Sequence, residues 1–134
     1  MKANELMIGD YVRYTDTESF VDMRQGDIVK VDALQGKYIC VGNGWADEDM
    51  FEPIPLTAEI LAKFGFNHLE GNQYRMTIAS SQVDIHELGI SVWFVDVEEL
   101  KWDMPKQSAI VCSVHQLQHA LRLFGVNKEG VEIG

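Results

Sequence analysis

Short runs of alternating apolar and polar residues, separated by glycine turns, make up most of the chain, and this period of two predicts strands. Gly9-Asp10 leads into a run over 11–14, Gln25-Gly26-Asp27 into 28–34 and Gln35-Gly36-Lys37 into 38–41, after which Gly42-Asn43-Gly44 turns the chain again. Residues 15–25 are polar apart from Phe20, Val21 and Met23, and read as a long loop anchored by Phe20. A second group of runs lies at 66–69, 74–79, 83–88 and 91–97, with Gly71-Asn72 and Gly89 as turns. The run 91–97 is the most apolar and is placed centrally in its sheet. Residues 98–104 alternate too and admit a further strand ending at Pro105, 110–112 forms a short run, and Val131 and Ile133 mark one last strand in a polar tail.

Two segments change to a helical period. Thr57 caps the first, 58–64, which carries Glu59 in its first turn, Lys63 in its last and Gly65 as its stop, all matched to the helix dipole. Ile60, Leu61 and Phe64 give it an apolar face. Ser113 opens the second, 114–124, where Gln116 completes a capping box, Cys112 and Leu117 occupy the staple positions and Gly125 ends the helix. At about 100° per residue, Val114, Leu117, Ala120, Leu121 and Phe124 share one face and His115, Gln118, His119 and Arg122 the other, with Leu123 a misfit on the polar side.

Between the two groups of strands lies Pro53-Ile54-Pro55-Leu56, a stiff connector because each proline fixes its own φ and extends the residue before it. The expected fold is α+β. A small N-terminal β-barrel-like unit (1–55) precedes an antiparallel β-meander packed with two short helices (56–134), the last of them over 114–124. The repeated Gly-Asp ahead of an apolar run resembles the small barrels of the Src-homology type.

Composition narrows the function. The 134 residues are 46% hydrophobic and 24% charged, ordinary for a globular protein that builds its own core. Net charge is −10, with −6 in residues 1–56 and −4 in 57–134, and no Lys/Arg cluster offers a phosphate backbone a basic face. Direct nucleic-acid binding is therefore not expected, nor is binding to an anionic membrane surface. No apolar run approaches the ~18 residues of a spanning helix, and the first residues lack the pattern of a signal peptide. A cytoplasmic protein is expected, with Cys40 and Cys112 as reduced core residues.

Candidate chemistry is sparse. Residues 45–52 form the most acidic segment and read as a solvated loop whose aromatics pack down. Asp84, His86 and Glu87 form a small polar group in a strand, and Asp84 and His86 share one side of it, an arrangement that can orient a general base. No nucleophile elbow, Walker motif or dinucleotide glycine motif accompanies them. Trp45, Trp93 and Trp102 lack basic neighbours and read as core rather than as stacking platforms for bases. His115 and His119, four apart, can share a zinc ion, given a third ligand from His68, His86 or a carboxylate. The glutamate of a His-Glu-x-x-His site is replaced by Gln116.

Three stretches read together carry a family resemblance. Met1-Lys2-Ala3-Asn4-Glu5-Leu6-Met7-Ile8-Gly9-Asp10, the connector and helix Pro53-Ile54-Pro55-Leu56-Thr57, and Val114-His115-Gln116-Leu117-Gln118 resemble matching stretches in a group of small uncharacterised proteins from phages, prophages and mobile elements of gut-type bacteria. Where many of those proteins have Asn and a bulky residue, this chain has His119-Ala120. The resemblance implies a mobile-element origin and an intracellular site, and it points to His115 and Gln118, with His119 beside them, as a binding segment. With no complete catalytic set and no cofactor motif, the expected function is that of a non-enzymatic accessory protein that binds a protein partner. One alternative is a metal-dependent hydrolase or metal-binding protein built on His115 and His119. Another is an acidic nucleic-acid mimic using Asp47-Glu48-Asp49-Glu52 and Asp96-Glu98-Glu99-Asp103.

Overall fold

The computed structural model describes residues 1–16, 23–42, 44–78, 80–100 and 105–126. Expectations for Phe20, Trp102, Asp103 and the tail strand at Val131 and Ile133 lie outside them. The chain divides into two compact units, Met1–Ile54 and Pro55–Gly134. Among the described residues it is α+β, with two α-helices and three antiparallel sheets.

In the first unit, β1 (Tyr11–Tyr14) lies between β2 (Ile28–Lys30) and β6 (Phe51–Glu52), while β3 (Ala33–Gln35), β4 (Tyr38–Val41) and β5 (Gly44–Asp47) form a second sheet. The expected single strand over 28–34 is thus two strands in different sheets, and backbone bonding explains the break. Val31 N–H donates to the Asp10 carbonyl at 2.8 Å, whereas Asp32 N–H donates to the Cys40 carbonyl at 2.9 Å. The chain changes partner between these two residues. Both sheets stay open and three-stranded, so the barrel-like closure expected from the turn spacing is not formed; strands of two to four residues on separate ladders present no continuous edge to join. Val12, Tyr14, Val31, Ile39, Ala46 and Phe51 are buried in the core of this unit, with the Tyr14 and Phe51 rings edge to face at 5.6 Å.

The acidic segment is not a solvated loop. It forms β5, a 3-10 turn over Glu48–Met50, and β6. Asp47 caps the turn by accepting from Asp49 N–H at 3.0 Å, and Glu48 accepts from Ala3 N–H at 2.7 Å with Lys2 Nζ 3.6 Å away. Backbone N–H groups that need an acceptor recruit these carboxylates into the structure.

In the second unit, β7 (Asn67–His68), β8 (Gln73–Ile78), β9 (Ser81–Gly89), β10 (Val92–Glu99) and β11 (Gln107–Val111) form one antiparallel sheet in the order β11-β10-β9-β8-β7. The strands alternate cleanly. Met76, Val83, Ile85, Trp93, Val95, Val97 and Val111 are buried on one face, each side chain contributing about 1.5–3 kcal/mol. The helices α1 (Ala58–Phe64) and α2 (Val114–Leu123) complete this core with Ile60, Leu61, Phe64, Val114, Leu117 and Leu121. Gly65 ends α1 in the left-handed region at φ +105°, and a Cβ there would lie 3.4 Å from Met76 Sδ, which sets the helix end against the sheet. A bridge between Pro55 and Ser113 ties the two helix starts together.

Both predicted caps form. Thr57 Oγ1 accepts from Ile60 N–H at 3.2 Å, and Ser113 Oγ from Gln116 N–H at 3.4 Å. The return arm of the second differs from the expected capping box: Gln116 Oε1 reaches Cys112 N–H at 2.7 Å, one residue earlier than Ser113. Cys112 is exposed and Cys40 half-buried, both as free thiols, so the expected burial of the cysteines is corrected. Cys112 follows the buried Val111 and turns to the opposite side before the cap.

Candidate functional site

The three residues singled out on α2 come together, but not on an open face. His115 is 3% exposed and Gln118 6%, while His119 is half-buried. The helix buries its apolar stripe and also the flank that carries Gln118 and His115, so solvent meets a narrow strip centred on Gln116 and Leu123. The misfit Leu123 stands on that strip, exposed. His115 Nδ1 lies 3.2 Å from Ser113 Oγ, and its ring meets that of His119 at 5.7 Å, nearly perpendicular. None of His115, Gln118, His119 and Arg122 is without a partner. Buried polar side chains need such partners. Among the described residues, no group of three His, Cys, Asp or Glu gathers to hold a metal ion, so the third ligand for His115 and His119 does not come from them.

Asp84 and His86 do share a face, as their spacing requires, but each is engaged elsewhere. Asp84 takes a forked contact from Arg75, Nε to Oδ1 at 2.6 Å and Nη2 to Oδ2 at 3.3 Å, with Gln82 Nε2 also at 3.3 Å. Hydrogen bonding to Asp84 and its charge raise the Arg75 pKa. The ring of His86 packs on Phe94 at 5.3 Å. A carboxylate held by a guanidinium orients no base, and the pair is a structural one.

These contacts belong to a larger feature, the face of the five-stranded sheet opposite α1 and α2. Register places side chains there in rows. One row runs Asn67, Arg75, Asp84, Asp96, Ser108; the next runs Gln73, His86, Phe94, Ile110. Glu98 stands opposite Gln82 on the same face. Ser108 Oγ donates to Asp96 Oδ1 at 2.5 Å. Asp84 and Asp96 are direct cross-strand neighbours, a like-charge pairing that costs stability in a sheet. Asp84, Asp96 and Glu98 thus share this face, Asp84 paired with Arg75, beside a row that ends in Phe94 and Ile110, the latter 63% exposed.

Of this face the sequence singles out Asp84 and His86, and Asp96 and Glu98 only as part of an acidic run, and it does not mark Phe94 or Ile110. The signal was present in the alternation of 92–99: if Trp93, Val95 and Val97 point inward, Phe94, Asp96 and Glu98 share the other face. Ile110 carried no such signal, because its run is short and apolar on both sides. Among the described residues, no helix is long and apolar enough to cross a membrane. Compared with family models, with curated proteins and with solved structures, the chain matches none of them.

Proposed function

We propose that this chain is a non-enzymatic accessory protein of a phage or mobile element, and that it binds a protein partner through the outer face of its five-stranded sheet. The phage origin rests on the three stretches of resemblance. The binding face rests on one observation: Phe94 and exposed Ile110 run beside Asp84, Asp96 and Glu98, of which Asp84 is paired with Arg75. Apolar contact surface flanked by unneutralised charge is how interfaces combine affinity with partner choice. The partner that complements this face presents an apolar segment edged with Lys or Arg. An acidic face also disfavours a nucleic-acid ligand.

The test is capture from host lysate by three forms of the protein in parallel: wild type, Ile110→Asp and Asp96→Lys. A protein captured by the wild type, lost by both variants and released by salt is the expected result. Equal capture by all three forms, or turnover of a small molecule by the purified wild type, overturns the proposal.

A further inference from the structure

A second feature of the Pro55–Gly134 unit lies on the other side of the sheet, at the end where α1 begins. There the β7–β8 and β9–β10 turns and the start of α1 enclose a groove of about 530 Å³, within the range of small-molecule sites. Trp93 lines it, 3% exposed, and its indole Nε1–H is a buried donor with no hydrogen-bond partner. Native folds rarely leave such a donor unpaired. Tyr74 stands beside it with ring centroids 5.9 Å apart, and His68 continues the stack at 5.0 Å from Tyr74.

The strand register places a carboxylate at the same point. Val92 pairs with Gly89, but Trp93 pairs with Glu87, so β9 carries one extra residue, Leu88, in a bulge. Bulges re-aim side chains and are frequent beside binding sites. Here the bulge puts Glu87, rather than Leu88, across from Trp93. Asn72 fixes the backbone of Glu87 by donating from Nδ2 to its carbonyl at 2.7 Å. Among the described residues the carboxylate forms no ion pair or hydrogen bond and is the only charged side chain lining the groove. The tip of the β9–β10 hairpin forms the remaining wall. Ile90 there is 96% exposed, and Ser91 holds the left-handed conformation at φ +57°, unusual for a residue other than glycine.

We infer that this groove binds a small organic ammonium ion carrying an acceptor oxygen, the cation against Glu87 and the rings of Tyr74 and Trp93, the oxygen on the Trp93 indole N–H. Each part has its reason. A lone carboxylate with no basic residue beside it selects a cation, and aromatic faces attract organic cations. The unpaired donor selects an acceptor, and a donor shielded from water holds one more strongly than a donor in solvent. Because Nε1 is covered, the ligand reaches it by displacing the hairpin tip, the wall with the least packed side chain. This site shares no residue with the outer sheet face and stands or falls independently of the proposed partner binding.

The full chain, labelled with nitrogen-15, is titrated with acetylcholine as probe while the assigned Trp93 indole resonance is followed. A saturable shift of that resonance is expected, with Glu87→Gln weakening the affinity by about fivefold, as for a partly solvated ion pair. Glu87 is exposed, so this variant keeps the fold. Two further titrations separate the parts: the uncharged ester in which carbon replaces nitrogen, and tetramethylammonium, which has no acceptor. Both are expected to bind more weakly than acetylcholine. An indole resonance that stays still at saturation, an uncharged ester that binds as tightly as the cation, or a Glu87→Gln protein with wild-type affinity each overturns the inference.

Discussion

The two faces of the five-stranded sheet are made by the same strands, yet they differ in what they specify. Toward the helices, Val83, Ile85, Val95 and Val97 interlock around Trp93, and an error of one residue in register would expose them all. Toward the other side, the rows hold charges, a His86–Phe94 ring pair and an exposed isoleucine. The first face fixes the fold. The second is free to carry a pattern that the fold does not require, including the unfavourable opposition of Asp84 and Asp96. Arg75 and Ser108 each hold one member of that opposition, and the proposed partner binding would give it a second use.

The largest effect separates the two faces directly. Ile85→Ala, on the covered face, is expected to cost about 2–5 kcal/mol, the lost transfer energy plus the cavity left behind. Ile110→Ala, on the outer face, is expected to stay within about 0.5 kcal/mol of the wild type. Urea unfolding of both variants measures the difference. If Ile110→Ala costs as much as Ile85→Ala, the outer face is part of a core and the contrast between the faces is wrong.

Next in size come the caps of the helices that cover the inner face. Ser113→Ala and Thr57→Ala should each lose about 1 kcal/mol. Ser113→Ala should lose the more, because its hydroxyl is buried and also meets His115 Nδ1 at 3.2 Å. The ranking is checked by thermal unfolding of the two variants side by side; equal losses would mean that the His115 contact contributes nothing.

A smaller effect serves as a reference for what an ordinary exposed ion pair does. In the first unit Lys37 Nζ lies 3.3 Å from Asp47. The Asp49 N–H and then Lys37 hold the Asp47 carboxyl below its ordinary value, so its contribution is full above that value, 3.8, and is lost as pH falls through the lower folded value. Lys37 is raised above 10.5, chiefly by its hydrogen bond to Asp47; its contribution is full below that value and is lost as pH rises through the folded one. Lys37→Met should therefore lower Tm slightly at neutral pH and not at all once Asp47 is protonated. A deficit that persists in acid would assign the effect to the Lys37 ammonium over the Tyr38 ring, 5.5 Å from its centroid, instead.

Much of this architecture is legible in the residues. The caps at Thr57 and Ser113, the stop at Gly65 and the strands around Tyr74, Ile85 and Val95 follow from local rules, because propensity, pattern and packing agree there. Legibility fails where long-range partners decide. The run 28–34 reads as one strand until Val31 bonds to Asp10 and Asp32 to Cys40. The acidic residues 47–49 read as solvent-facing until Ala3 N–H needs Glu48. On α2, His115 and Gln118 read as a polar face, and the helix is buried more widely than its apolar stripe requires. The bulge at Leu88 that sets Glu87 beside Trp93 leaves no mark in the sequence, since Gly89 suggests a plain turn and the left-handed residue is Ser91.

The smallest expected change is the most discriminating. Asp96 faces Asp84 across the β9–β10 ladder, and Arg75 sits on the far side of Asp84, one strand removed. Arg75 therefore neutralises one of the two carboxylates and leaves the other. Asp96→Asn removes the repulsion and keeps an oxygen to accept from Ser108 Oγ. The variant should be more stable than the wild type by a few tenths of a kcal/mol, and the gain should shrink with added salt, because the repulsion lies at a partly solvated surface. On binding, the sign reverses: losing a charge that a basic partner would meet should slow association and weaken capture. Residues that cost stability while serving function behave in this way. Paired measurements decide, thermal unfolding at two salt concentrations and capture of the partner by wild type and Asp96→Asn. Stability gained with capture unchanged would leave Asp96 without a role in binding, and stability lost would show that Asp96 is held by its hydrogen bond to Ser108 more strongly than Asp84 repels it.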